Sequence, residues 1–415
     1  MQRRLVLVTI LIAYLVVRPP VDSLFAQTSE ESAPVPPVES LAPDPTPPRD
    51  EPLLPELTLH EPEDAVIVLG ELRGAVRLSP NSAEDRLKLA LGLYHIGDLD
   101  AALDECRVAL KLKPNNAKAL LQLGIMLMTK QDGRAAATAL MEAILLDPEL
   151  THAHYSLGSV QYSLGNFKAA IQSYRRALEL QPNFPDARYR LALVLKLTNQ
   201  NQEAAQFMEE AALGGIPQAQ YFTGNAYRNG QGVEKNLALA ISWWTKAVEF
   251  GHQPATDALS KLRRQALSSE QPDRRRKEAM EAFRQYRDAL WTDYPDVVRN
   301  DPNESLGVAL LRDSQAYNGV TALFAETLAL SETAQDELAR LYESGLDTRL
   351  AQFDPRILTC FETTAADGFV PAKKTLARIY GKGLGVTANL QKAKVLLKGL
   401  PKQDIQAVLD EIAAH

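Results

Sequence analysis

Apolar and polar positions divide the chain into three regimes. Residues 5–17 form an uncharged, mainly apolar run behind Arg3 and Arg4. Residues 28–61 show no helical pattern, and nine prolines fall between positions 34 and 55. Beyond them the chain reads as helical, and its pattern repeats. The strings AVRLSP (75–80), ALKLKP (109–114), AILLDP (143–148) and ALELQP (177–182) recur at a spacing of 34. A fixed period of that length predicts an all-α solenoid of helical hairpins, in which each unit buries its apolar face on its neighbours.

Four units counted from Ala83, Ala117, Thr151 and Pro185 agree at their internal positions. Positions seven and eight are Leu89-Ala90, Leu123-Gly124, Leu157-Gly158 and Leu191-Ala192. Position twenty is Ala102, Ala136, Ala170 and Ala204, and position twenty-seven is Ala109, Ala143, Ala177 and Ala211. Small residues there let the two helices of a hairpin approach closely, and Pro114, Pro148 and Pro182 stop the second helix. This pattern resembles the tetratricopeptide repeat (TPR). The fourth unit departs from it, with Gly214-Gly215-Ile216 in place of the proline. Upstream, residues 64–78 supply only a second-helix half, which predicts an N-terminal cap and an array over 62–216.

A second repeat type follows over 217–260. Tyr221-Phe222-Thr223-Gly224, Tyr227, Gly230, Gly232-Val233, Ala240, Trp243-Trp244, Lys246-Ala247 and Gly251 stand on a 36-residue period between Ala219 and Ala255. The pattern resembles the Sel1-like repeat, a slightly longer relative of the TPR. It returns over 334–415 as Ala372, Leu376, Tyr380, Gly383, Gly385-Val386, Asn389 and Ala393. A looser unit precedes that one, with Ala334, Leu338, Tyr342, Gly345, Phe361 and Gly368, about two extra residues before Phe361 and no paired loop glycines.

Residues 261–333 connect the arrays. Arg263, Arg264, Arg274, Arg275, Arg276, Lys277, Arg284 and Arg287 crowd the segment 263–290, and Met280, Phe283, Tyr286 and Leu290 fall at near-helical spacing. This predicts an amphipathic basic helix. Its outer face is either a solvated connector or a contact for anionic lipid or an acidic partner, through Arg274, Arg275, Arg276 and Lys277. A further helix pair is expected over 304–311 and 320–330, divided at Asn318-Gly319.

The apolar run at the N-terminus spans about 20 Å as a helix, short of the ~30 Å hydrocarbon core. It suits the hydrophobic part of a signal peptide over 1–27, cleaved before Gln27 or retained as a short anchor. Either way the charges ahead of it place the bulk outside the cytosol. The product is then periplasmic or secreted, or held at the inner membrane by this segment. Residues 28–61, with acids such as Glu39, Asp44, Asp50 and Glu51 among the prolines, predict an extended, disordered spacer.

Composition removes several classes of function. The formal charge of -7 argues against a general nucleic-acid partner. Two cysteines exclude a disulfide-dense scaffold and a four-thiolate zinc site. Cys106 falls at position twenty-four of the first unit, beside Leu140, Tyr174 and Met208 in the others, so it reads as a buried filler. Cys360 aligns with Trp243. His152 and His154 are two apart on a helix and face away from each other. Gly381-Lys382-Gly383-Leu384-Gly385 follows a helix, where a phosphate-cradling loop should follow a strand, and turn glycines account for it. No motif calls for a catalytic residue, a cofactor or a metal, although an enzyme with its site in 265–333 is the rival reading from another class.

The TPR resemblance implies that first helices line a concave face through positions two, five, nine and twelve. Position five is Leu87, Leu121, Tyr155 and Tyr189; position nine is Leu91, Ile125, Ser159 and Leu193; position twelve is Tyr94, Met128, Tyr162 and Lys196. The Lys and Asn clamp of co-chaperone TPR domains is absent. An apolar and aromatic lining suits a partner helix or a peptide with bulky side chains, and packing of the groove on itself is the competing reading. The resemblance implies a non-catalytic interaction scaffold of the bacterial cell envelope, of the kind that serves assembly of pili, secretion machines or exported polysaccharide. Oligomeric state is not legible.

Overall fold

The structure, a computed structural model, describes residues 62–268, 273–346 and 350–414; the predicted signal segment 1–27 and spacer 28–61 lie outside the described residues. The described residues are helical almost throughout. They carry twenty α-helices, and their one β-bridge joins Leu346 to Leu350 within a loop.

Helix α1 (Pro62–Leu78) is the predicted half-unit and packs on α2. Four hairpins follow: α2 (Ala83–His95) with α3 (Leu99–Leu112), α4 (Ala117–Thr129) with α5 (Gly133–Leu146), α6 (Thr151–Ser163) with α7 (Phe167–Leu180), and α8 (Pro185–Leu197) with α9 (Asn201–Leu213). The first helices begin at the four residues from which the repeats are counted. Local chemistry sets several of these starts. Ser82 Oγ accepts from Asp85 N at 3.2 Å and Asn116 Oδ1 from Ala119 N at 3.2 Å, and Pro185 opens α8 where its missing N–H costs nothing. Between the two helices of each unit, position fifteen takes a left-handed backbone: Gly97, Gln131, Gly165 and Asn199, with φ of 84°, 63°, 76° and 61°.

Within a hairpin, position eight meets position twenty-four. A Cβ on Gly124 would fall 2.6 Å from Leu140, and one on Gly158 would fall 2.8 Å from the Tyr174 ring. The two units with glycine at eight therefore carry the bulky partners. The other two pair Ala90 and Ala192 with Cys106 and Met208 at the same positions. The alanines at twenty and twenty-seven are all buried. Successive first helices also approach one another, α2 to α4, α4 to α6 and α6 to α8, which puts them on the inner side of the curve.

The second repeat type begins at α10 (Pro217–Asn229) and α11 (Leu237–Glu249). The chain continues into α12 (Gln253–Leu267), α13 (Asp273–Leu290) and a 3-10 turn at Trp291–Asp293. Then come the hairpin α14 (Leu306–Arg312) and α15 (Ala316–Leu328), the hairpin α16 (Glu332–Ser344) and α17 (Pro355–Ala366), and finally α18 (Val370–Lys382), α19 (Leu390–Leu397) and α20 (Lys402–Ala413). The longer loops of this repeat close in one way. The backbone N–H of Asn236 donates to Tyr227 O at 2.8 Å, that of Asn389 to Tyr380 O at 2.7 Å, and that of Phe353 to Tyr342 O at 2.7 Å. The first two closures span nine residues and the third eleven, so the two extra residues of the looser unit lie in its loop. Gly230, Gly232, Gly383 and Gly385 have positive φ, as turn glycines should.

Two expectations for the connector need correction. The segment 263–290 is not one helix but the end of α12 and the whole of α13. Only Ala279, Ala282, Phe283 and Tyr286 of α13 are buried, while Met280 is 41% exposed, because the inward face follows the small residues and the two rings. The pair Asn318-Gly319 is not a turn: both residues lie inside α15, and the break falls at 313–315, where Ser314 has φ 61°. Glycine is needed at 319 for contact. Its Cβ would meet Leu311 at 2.8 Å and the carbonyl of Gly307 at 3.1 Å, so Gly307 and Gly319 let α14 and α15 touch.

Candidate partner-binding surface

The ten residues assigned to the groove divide evenly by exposure. Leu91, Leu121, Ile125, Tyr155 and Leu193 are buried, and Leu87, Tyr94, Met128, Tyr162 and Tyr189 are half-buried. Of the buried five, Leu91, Leu121, Ile125 and Tyr155 belong to the cores that join consecutive units, and Leu193 is 3% exposed. Tyr155, for instance, sits 4.9 Å from the Phe184 ring and 5.8 Å from that of Tyr174. The half-buried five supply the accessible lining, and two of them also connect unit to unit. Tyr94 Oη and Thr129 Oγ1 of the next unit are hydrogen-bonded at 2.9 Å, and the Tyr189 ring lies 6.5 Å from Phe222 on α10. The aromatic row therefore runs past the TPR array into the first Sel1-type hairpin, where the Tyr221 ring lies near those of Phe222 and His252, tilted to both.

Polar groups interrupt that row at its C-terminal end, and the sequence pattern passed over them. Arg190, at position six of the fourth unit, is 8% exposed among tyrosines and hydrogen-bonds Tyr155. Burial pulls its pKa down, but the phenols of Tyr155 and Tyr174 outweigh that and leave it raised. The phenol of Tyr174, wholly buried, donates to Ser159 Oγ at 3.0 Å, which explains the serine among apolar residues at position nine. Lys196 is the one charged side chain at position twelve. Burial lowers its pKa, and its Nζ lies 5.2 Å from the centroid of Phe222. It lines a cleft of about 70 Å³ between α8, α9 and α10, with Asn201, Met208, Phe222 and Gln231 among the walls. Its charge at an otherwise apolar position was the available signal.

In the connector, Arg274, Arg275 and Lys277 are exposed at the start of α13 and Arg276 is half-buried. Arg263 does not belong with them. It is 1% exposed, its Nε donates to Asp367 Oδ2 at 2.8 Å and its Nη1 to Leu328 O at 3.2 Å, while Ser260 also bonds Asp367. Residues 265–333 fold into the helices that share a core with α11, α16, α17 and α18, so among the described residues no separately folded domain occupies this region. Cys106 and Cys360 are free and buried, with thiols pushed up to about 12 by desolvation. His154 bonds Pro148 O at 2.9 Å, and His152 packs on Phe184. Among the described residues there is no metal-binding cluster of His, Cys, Asp and Glu, and no helix is long and apolar enough to cross a membrane.

Comparison with known proteins bears on the repeats. The TPR repeat family matches residues 159–199, and the Sel1 repeat family matches 217–252 and 376–398. Comparison with the curated proteins gave no match. Among solved structures, a crystal structure of MamA is 28% identical over 40% of this chain and 96% of its own, with a TM-score of 0.36. YrrB, described as a TPR protein with an unusual peptide-binding site, is 25% identical over 45% of this chain and 96% of its own, with a TM-score of 0.37. PilF of Pseudomonas aeruginosa is 21% identical over 48% and 90%, with a TM-score of 0.42. With the family matches falling on hairpins of the expected length and internal packing, the chain is a helical-repeat solenoid that carries TPR and Sel1 repeats.

Proposed function

We propose that this chain is a non-catalytic scaffold of the bacterial cell envelope that holds a partner helix or bulky peptide along the inner face of its TPR array. The observation that carries the reading is the half-exposed row Leu87, Tyr94, Met128, Tyr162 and Tyr189, one or two per first helix on four successive units. Apolar side chains held part-open on consecutive repeats offer a partner a continuous strip that single exposed leucines do not. The N-terminal run behind Arg3 and Arg4 supports export, and recovery of the native protein in the cytosol would overturn that part.

The groove is tested on the accessible residues. Ile125 and Tyr155 are core, so changing them would report folding instead of binding. The triple variant Tyr94→Ala, Met128→Glu, Tyr189→Ala should keep its helical circular dichroism. In crosslinking pull-downs from envelope fractions it should lose the partners that the native chain recovers. Full recovery by a folded variant would refute the groove.

The exposure of Arg274, Arg275 and Lys277 supports a second contact, with anionic lipid or an acidic partner. Changing the three to Glu should abolish binding to vesicles rich in anionic lipid, and unchanged vesicle binding removes the lipid form of this contact.

A further inference from the structure

The cleft at the junction of the two repeat types holds a cation that the fold meets, among the described residues, with an aromatic ring and no anion. Lys196 reaches it from the end of α8, Asn201 from the start of α9, Phe222 from α10 and Gln231 from the loop that follows. Among the described residues the Lys196 ammonium has no hydrogen bond and no ion pair; its neighbour is the Phe222 ring. Burial holds its pKa down, a sign that part of its hydration has been lost. The loop is fixed over the cleft by Gly232, where a Cβ would collide with the carbonyl of Asn201 and lie 2.9 Å from Ala205. A side chain at 232 would lift Gln231 away from the cleft.

We propose that this cleft binds a carboxylate carrying a short apolar group. Lys196 supplies the counter-charge, the amides of Asn201 and Gln231 supply hydrogen-bond donors, and Phe222 and Met208 wall the apolar part. A carboxylate fits better than a phosphate. The cleft presents one ammonium and no guanidinium fork, which matches a single negative charge, and Met208 and Phe222 give an apolar group a wall that phosphate cannot use. The inference does not rest on the partner-binding groove, whose failure would leave it standing.

The test uses the full chain with two probes, N-acetylalanine and its uncharged amide, and inorganic phosphate as a third. Two NMR reporters are read: the Lys196 resonance after reductive ¹³C-methylation, identified by its loss in Lys196→Arg, and the methyl of Met208, one of six methionines. N-acetylalanine should move both saturably and raise the titration midpoint of Lys196. The amide should move neither. The Met208 shift should vanish in Lys196→Gln, and Asn201→Ala or Gln231→Ala should each weaken binding about threefold to tenfold, the worth of one hydrogen bond. Absence of a saturable shift at high millimolar carboxylate would overturn the proposal. So would an equal shift with the amide, a stronger one with phosphate, or retention of the Met208 shift in a folded Lys196→Gln chain.

Discussion

Tyr174 in the TPR array bonds Ser159, 15 residues away, whereas Arg263 in the C-terminal half bonds Asp367, 104 residues away. The contrast holds for the cores. The TPR cores pass from helix to next helix, one from Leu69 to Val160 and one from Tyr155 to Ala204, while one C-terminal core gathers residues from Ala240 to Tyr380. Polar ties cross that larger core as well: Arg287 bonds Ala329 O, Gln335 donates to Thr375 at 2.9 Å, and Tyr342 donates to Leu384 O at 3.0 Å. The first half thus follows nearest-neighbour stacking, in which each layer depends mainly on the next. The second half has its layers clasped together, so local damage there should spread.

The sharpest way to break this comparison is Asp367→Ala. Asp367 and Arg263 are 4% and 1% exposed, and removing the acid leaves a buried guanidinium uncompensated. A loss of about 3–5 kcal/mol is expected for breaking such a pair. All three tryptophans, Trp243, Trp244 and Trp291, lie in the C-terminal half, so their fluorescence reports it alone, while circular dichroism reports both halves. Urea should move the fluorescence transition to lower concentration and split the dichroism into two steps. One coincident transition would mean that the halves unfold together and that the contrast is only geometric.

The matching change in the TPR half is Gly158→Ala. Its Cβ would press on the Tyr174 ring at 2.8 Å, and overpacking of this kind costs about 1–3 kcal/mol. Here the dichroism should shift while tryptophan fluorescence holds. Adding Tyr174→Met recreates the Ala192 and Met208 pairing of the fourth unit and should recover part of the loss. No recovery would show that Tyr174 acts mainly through Ser159.

A smaller effect follows from Glu326 in the clasped half. It is 2% exposed and accepts from Leu306 N at 2.9 Å, Gly307 N at 3.0 Å and the Ser305 hydroxyl. Burial outweighs these bonds and raises its pKa above the usual 4.5. A carboxyl raised in the folded state binds its proton more tightly there than in the unfolded chain. Its contribution is therefore complete below the unfolded pKa and is lost as pH rises through the folded one. Fluorescence-monitored stability should fall over that window in the native chain and fall less in Glu326→Gln; equal slopes would assign the pH dependence to other groups.

Legibility in the sequence followed the same division. In the TPR half, a position repeated every 34 residues does the same job each time, so helix starts and small-residue contacts were readable from one chain. Cys106 as a filler followed from its place beside Leu140 and Tyr174. In the C-terminal half, the deciding contacts are non-local. Nothing in the string around Arg263 distinguishes it from Arg264: both pair with the distant Asp367, and only the packing of later helices leaves one 1% and the other 63% exposed. Asn318-Gly319 reads as a turn for the same reason: its use, contact with Gly307 and Leu311, appears only once the helices pack. At the candidate site, position counting found the row of side chains but not their exposure. Which five of the ten are core depends on neighbours such as Phe184, which lies outside the helices that carry them.

The smallest expected effect tests whether the repeats are equivalent where they look alike. Position fifteen is left-handed in all four TPR units, yet only Gly97 and Gly165 are glycine; Gln131 and Asn199 hold φ of 63° and 61°. A side chain there costs about 1–2 kcal/mol, less for asparagine, and glycine gives part of that back through its freer unfolded chain. Gln131→Gly should therefore stabilise the array by up to about 1 kcal/mol, and Asn199→Gly by less. Both changes should appear in the dichroism transition and leave tryptophan fluorescence where it was. If Asn199→Gly proved the more stabilising, strain would be set by each turn's surroundings instead of by the residue. The four hairpins could then not be treated as copies of one unit.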